Sequence, residues 1–361
     1  MFMASIWCSR LPVKWMLALY LLLSVHLIAV MSRISFTATG AWKQVAPDQQ
    51  INICEDQHMC TKHNFTWVAD YPSKTYLVGD ACSMLARKGI TSIQFRGDSY
   101  SRHMYQAMLI LLRNDYERGA MSPEKLVPDE CKGSAQFYHK DCADIEPQRV
   151  CGGGLALRFV PHAFGMEVED CAREKGHVYF WSVGNHALPK VPTNPGPYGR
   201  DSINDWRVHQ AWFNNTVCID LLWYQRDRRN SADERMRDNQ ISRNVPPTHT
   251  KAIPVGNTDE IDFTKSCSVW WVPTHYRYRA FFKEEVPERV HEYNVRMREF
   301  FDSNKCGLVN YVDVYNMTAS LVLNHDEAAA ALTYDKVHWS MEVNLVKVQI
   351  LLNALASSNT K

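Results

Sequence analysis

The first pattern along the chain is an apolar run, Trp15 to Met31, of 17 residues with no charged side chain, broken only by Ser24 and His26. That length sits at the lower edge of what a helix needs to span a bilayer. Arg10 and Lys14 precede it and favour a cytosolic amino terminus, with Arg33 weakening the bias. The expectation is a cytosolic tail (residues 1–14) and a membrane anchor (15–31), with a cleaved signal ending at the small residues Ala38, Thr39 and Gly40 as the alternative. Residues 32–74 are mixed and polar without a sustained period, and read as a stem and an approach pinned by Cys54 and Cys60.

From Ile90 the pattern becomes short apolar runs followed by helical stripes. Ile93 to Phe95 predicts a strand running into Gly97, Asp98 and Ser99. Met104, Ala107, Met108, Leu111 and Leu112 then recur at three- and four-residue spacing, predicting a helix that stops near Gly119. Further strands are predicted at Val178–Val183, Ser268–Val272 and Leu308–Val314. Helices are predicted from Asp201 or Ser202 to Leu222, from Pro287 to Phe301 and from Trp339 to Leu355. Strands alternating with helices imply an α/β fold with a mainly parallel, helix-covered sheet over residues 75–361. Arg226 to His249, rich in Arg, Asp and Asn, reads as an exposed excursion.

Composition narrows the setting. Hydrophobic residues make up 46% of the 361 and the formal charge is +1, which permits a full core and leaves no electrostatic footprint for nucleic acid. Beyond Cys8 there are Cys54, Cys60, Cys82, Cys131, Cys142, Cys151, Cys171, Cys218, Cys267 and Cys306, an even set that suggests disulfides of unreadable connectivity in an oxidising compartment. Asn64, Asn214 and Asn316 each begin a glycosylation tripeptide. Among the chain's 11 tryptophans, Trp181, Trp206, Trp212, Trp223, Trp270, Trp271 and Trp339 are expected mostly in the core, with sugar stacking as the alternative.

The candidate chemistry lies where a strand end meets a helix start. Ser99 occupies such a junction, and a serine hydroxyl becomes a nucleophile only when a base takes its proton and a carboxylate fixes the base's tautomer. Among the 14 histidines only His338 has an aspartate, Asp335, three residues before it, and the pair falls ahead of the last helix, where a catalytic loop of an open sheet lies. A Gly-Asp-Ser triplet by itself is more often an ordinary turn with serine capping a helix. His186 has no second ligand at metal spacing, so no metal is expected.

Gly97, Asp98, Ser99, Tyr100, Ser101 and Arg102 look like a GDSxxR nucleophile block, and Asp335 to His338 looks like a DxxH block. Together they resemble the PC-esterase branch of the SGNH (GDSL-like) proteins, which includes Cas1-type, trichome birefringence-like and neurexophilin-like proteins. The resemblance takes in Glu292, Asn294 and Met297, then Asp313, Val314 and Tyr315, and the closing His338 and Trp339.

It implies a three-layer SGNH-like fold and an acyl-serine intermediate, with Ser99 as nucleophile, His338 as base then acid and Asp335 as its orienter. Gly184 and Asn185 stand as oxyanion candidates, although Gly184, Asn185, His186 departs from the family's usual block. Arg102 contacts substrate or forms a salt bridge, and His103 stands where the plant group has asparagine. The implied activity is an O-acyltransferase, an O-acetyltransferase by the family's chemistry, acting on glycan hydroxyls in the Golgi lumen from a single-pass membrane protein. A carbohydrate esterase with the same triad and a non-catalytic glycan-binding protein are the alternatives. No cofactor is implied beyond an acyl donor such as acetyl-CoA or an acetylated intermediate, which another membrane protein would have to deliver.

Overall fold

The computed structural model describes residues 35–37, 39–44, 65–121, 131–137, 142, 146–161, 176–182, 210, 267–278, 287–303, 309–335 and 337–358. The apolar run 15–31, Asn64, Gly184, Asn185, His186, the helix expected up to Leu222 except Gln210, Asn214 and the stretch 226–249 lie outside the described residues. Among the described residues no helix is long and apolar enough to cross a membrane.

Seven described strands form one sheet: β1 (Ser35–Thr37), β4 (Ser92–Gly97), β5 (Gln148–Val150), β6 (Leu155–Pro161), β7 (His177–Ser182), β8 (Cys267–Trp271) and β9 (Val309–Asp313), in the order β1-β9-β8-β7-β4-β6-β5. Every pairing is parallel except β5 with β6, which turn back through Cys151 to Gly154. A separate antiparallel ribbon joins β2 (Gly40–Gln44) to β3 (Phe65–Ala69). The α/β architecture with a mainly parallel sheet is therefore the one the alternating pattern predicts. Residues 32–74, read from sequence as a stem, contribute β1 to the sheet edge and this ribbon. Such short strands carry no period; the register of β1 is set by β9, far away in the chain, and that of β2 by β3.

The sheet alternates its side chains between two covered faces. Ile93 and Phe95 of β4, Phe180 of β7 and Trp270 of β8 point to one face, where Phe95 meets Phe180 and Tyr105. That face carries α1 (Val78–Arg87), α2 (Ser99–Arg113) and α6 (Met341–Ser357). On the other face Trp271 packs on Tyr293 and Phe301 of α3 (Pro287–Asp302), and the Arg96 guanidinium lies 4.9 Å from the Tyr179 ring centroid. Two shorter helices, α4 (Tyr315–Asn324) and α5 (Asp326–Ala331), lead from β9 towards α6. Trp181, Trp270, Trp271 and Trp339 are all buried.

Helix α2 ends at Arg113 rather than near Gly119, because Asn114 adopts a left-handed conformation (φ 52°) whose N–H caps the last turn. Helix α6 is buried along Met341 to Leu355, so its polar residues need partners. Gln349 and Asn353 supply them by exchanging paired hydrogen bonds with the backbone of Tyr76 and Lys74, and so strap the segment before α1 to the helix. Disulfides join Cys82 of α1 to Cys151 and Cys131 to Cys142. The first closes a loop of 69 residues, a constraint of the kind that contributes about 4 kcal/mol in the chain-entropy account.

Candidate active site

The parallel strands end along one edge, and β4 is where the chain order reverses: β6 flanks it on one side and β7 on the other. Loops leaving such a switch point diverge and leave a crevice at the strands' carboxyl ends. Ser99 emerges there, as the first residue of α2. Asp98 caps the helix by accepting the Tyr100 N–H at 3.0 Å. Gly97 makes the junction possible. It has φ +146°, and a Cβ there would lie 1.9 Å from the Ser182 carbonyl oxygen of β7. Ser101 locks the turn from the helix side, its hydroxyl donating to the Arg96 carbonyl at 3.0 Å.

Asp335 and His338 lie in a tight loop between α5 and α6, closed by the Thr333–Trp339 bridge. The pair lies in a loop, as expected, and a side-chain turn shapes it. Asp335 Oδ1 accepts the N–H groups of Val337 (2.9 Å) and His338 (2.6 Å), which bends the backbone back over the carboxylate. Its other oxygen, Oδ2, lies 2.6 Å from His338 Nδ1, and His338 Nε2 lies 2.8 Å from Ser99 Oγ. Residues 99, 335 and 338 are thereby joined in one hydrogen-bonded line. Partial burial pushes the Asp335 carboxyl up, but the side-chain and backbone bonds from His338 and the Val337 N–H outweigh it and leave the group below its ordinary value. With the carboxylate ionised, Nδ1 carries the hydrogen and Nε2 is free to accept from Ser99.

Around this line stand residues that the sequence did not single out as site residues. The segment after β8 turns under the site, with the backbone of Thr274 clamped by both ends of the Asn294 amide, at 3.1 and 2.7 Å. It brings the His275 ring to 3.5 Å from the Tyr100 ring centroid and buries Arg277, whose guanidinium lies 5.9 Å from the same ring and feels both Asp98 and Asp335. Burial draws the Arg277 group down to about 9, against the pull of those two carboxylates. Behind His275, the fully buried Lys347 of α6 bonds to His275 Nδ1 at 2.8 Å and to Asn344 Oδ1 at 3.2 Å. Burial depresses both the Lys347 amine and the His275 imidazole well below their ordinary values. The available signal was Thr-His-Tyr-Arg at the carboxyl end of an apolar strand, on the same edge as Ser99.

Arg102 lies half-buried one turn along α2, with Nη2 3.3 Å from His103 Nε2. Burial lowers it, and Tyr334 and Asp98 oppose the shift. The Asn316 amide nitrogen, the atom a glycan would occupy, donates to Asp313 Oδ2 at 2.8 Å, while Thr318 of the same tripeptide is buried and accepts the Tyr276 N–H. Among the described residues no group of three or more His, Cys, Asp or Glu side chains is placed to hold a metal ion.

Solved structures that the chain is similar to include the following two. One is a mutant of Axe2, an acetyl-xylooligosaccharide esterase from Geobacillus Stearmophilus, at 11% identity and a TM-score of 0.35, covering 73% of this chain and 94% of that one. The other is LAE5, an alpha/beta hydrolase enzyme from the metagenome of Lake Arreo, Spain, at 14% identity and a TM-score of 0.33, covering 74% of this chain and 96% of that one. No protein-family model and no curated protein matches the chain.

Proposed function

We propose that the chain is a serine-dependent acyl-ester enzyme that carries its acyl group on Ser99 and, in the direction the sequence resemblance favours, passes an acetyl group to a sugar hydroxyl. What supports this most is the line from Ser99 Oγ through His338 to Asp335, with bonds of 2.8 and 2.6 Å. As Ser99 Oγ attacks the acyl carbonyl carbon, its proton moves to His338 Nε2, and Asp335 stabilises the imidazolium. The carbonyl oxygen takes the negative charge. When the tetrahedral centre collapses, the bond to the leaving atom breaks, an oxygen in an acetylated intermediate or the sulfur of acetyl-CoA, and Nε2 returns the proton to that atom. The acceptor hydroxyl then gives its proton to Nε2 and bonds to the acyl carbon; the bond from that carbon to Ser99 Oγ breaks, and Nε2 returns the proton to Oγ. The N–H groups at the start of α2 suit the oxyanion, with Gly184 and Asn185 as further donors and Arg102 as a substrate contact.

Hydrolysis is the second reading, favoured by one observation: the Asp335 side chain is 40% exposed, so solvent reaches the triad. The acyl donor (acetyl-CoA or an acetylated intermediate delivered by another membrane protein), the glycan acceptor and a luminal Golgi-membrane setting belong to the same proposal. The two disulfides support an oxidising compartment.

The test is intact-mass analysis of the full chain after brief exposure to a fluorophosphonate. The Ser99 oxygen forms a bond to phosphorus, fluoride leaves, and the hydroxyl proton passes through His338 to solvent. A single adduct, lost in Ser99→Ala and in His338→Ala, is expected. A folded chain that takes no adduct would refute the reading and leave a glycan-binding role.

A further inference from the structure

Two hydrogen bonds fix where the His338 imidazole sits but not how it is tilted. The bonds from Nε2 to Ser99 Oγ and from Nδ1 to Asp335 Oδ2 define an axis, and the ring can swing about that axis while lengthening neither bond appreciably. Three rings close on this freedom. His103 and Tyr100 meet the imidazole at centroid distances of 5.0 and 5.4 Å and steep angles of 59° and 53°. Tyr334 lies nearly parallel to it, 10° between planes and 5.5 Å between centroids, the offset stack that aromatic rings prefer.

Tyr334 is itself anchored. Its hydroxyl donates to the Phe137 carbonyl at 3.2 Å and lies 3.5 Å from His103 Nε2. Phe137 closes a 3-10 turn (Gly133–Phe137). In that turn the buried Gln136 amide donates to the carbonyls of Tyr116 and Gly133 and accepts the Ala120 N–H. His103 turns Nε2 towards the Arg102 guanidinium, so that nitrogen is an acceptor and the ring is neutral. Burial, more than the neighbouring His338 and Arg102, keeps it so. A charged imidazole at this distance would oppose proton uptake by His338; a neutral one does not.

We propose that Tyr334 is a positioning residue for the base: its ring, stacked on the His338 imidazole, holds it at the tilt from which Nε2 faces Ser99. The inference rests on the acyl-enzyme reading, and the experiment separates the two. The full chain is titrated with a fluorophosphonate, and the rate of adduct formation is resolved into its maximal rate and the concentration giving half of it. Tyr334→Leu removes the ring; Tyr334→Phe keeps the ring and loses only the tether.

The expected result for Tyr334→Leu is a fall of roughly ten- to a hundredfold in maximal rate, because a reacting group displaced by about 1 Å costs that much. Its half-saturating concentration should stay within about twofold, and Tyr334→Phe should remain within about threefold of the unsubstituted chain, since uniform binding is untouched and the stack persists. If Tyr334→Leu does not fold, Tyr334→Met removes the ring at similar volume and is read the same way. A folded ringless variant with an unchanged maximal rate overturns the proposal, as does Tyr334→Phe falling as far as Tyr334→Leu. Absence of an adduct on Ser99 in the unsubstituted chain overturns the acyl-enzyme reading, and this inference with it.

Discussion

Gly97→Ala tests whether the close approach of β4 to β7 is what places Ser99. A Cβ at this position would lie 1.9 Å from the Ser182 carbonyl oxygen and 2.4 Å from Ser101 Oγ. The Ser101 hydroxyl can rotate away, but the Ser182 oxygen belongs to the backbone of the neighbouring strand, paired with Gly97 itself. Since Cβ atoms essentially never approach other heavy atoms under 3.0 Å, the strands must part by more than an ångström. Ser99 follows two residues later and moves with them. A shift of that size is expected to slow adduct formation by about a hundredfold. The positive φ adds roughly 1–3 kcal/mol of backbone strain, read as a lowered Tm. Gly89→Ala is the control: its φ is +69° but nothing lies within 4 Å, so the melting temperature should drop slightly and labelling should not change. A Gly97→Ala chain with normal Tm and a normal labelling rate would refute the argument.

Asp335→Asn should preserve the loop, because the amide oxygen can still accept the N–H groups of Val337 and His338, yet leave Nδ1 facing a group that no longer holds the right tautomer. The labelling rate is expected to fall by about 10⁴-fold with Tm unchanged; a loss under tenfold would mean that Asp335 is not the orienter. Stability should also depend on pH in a defined direction. His103 and His275 are held neutral in the fold chiefly by burial, so below about pH 6.5 the unfolded chain binds more protons and each can remove up to about 1.4 kcal/mol per pH unit. Lys347 acts alike at higher pH: its depressed amine makes stability rise as the pH climbs from its folded value towards about pH 10. Urea midpoints between pH 8 and 10 should therefore rise less in Lys347→Met than in the unsubstituted chain, and equal slopes would show that Lys347 is charged in the fold.

What the sequence determined by itself is what local repetition encodes. Apolar runs located β4, β7, β8 and β9, and three- and four-residue stripes located α2, α3 and α6. Burial of a strand or a helix face is a property of consecutive side chains. Ser99 and the Asp335–His338 pair stood out because acyl-serine chemistry would need those residue types at a strand end and in a late loop, and the structure brings the three within hydrogen-bonding distance.

What only the tertiary structure decided is everything that depends on neighbours distant in sequence. Asp335 and His338 meet through a side-chain turn, and Trp339 closes that loop instead of starting α6. β1 exists because β9 offers it an edge. His275, Arg277, Tyr334 and Lys347 belong to the site because the sheet gathers the end of β8, the loop before α6 and α6 itself around Ser99. No spacing rule reaches across the 239 residues between Ser99 and His338. That pairing arises because burying both faces of the sheet and packing α2 against α6 leaves the two loops one place to meet.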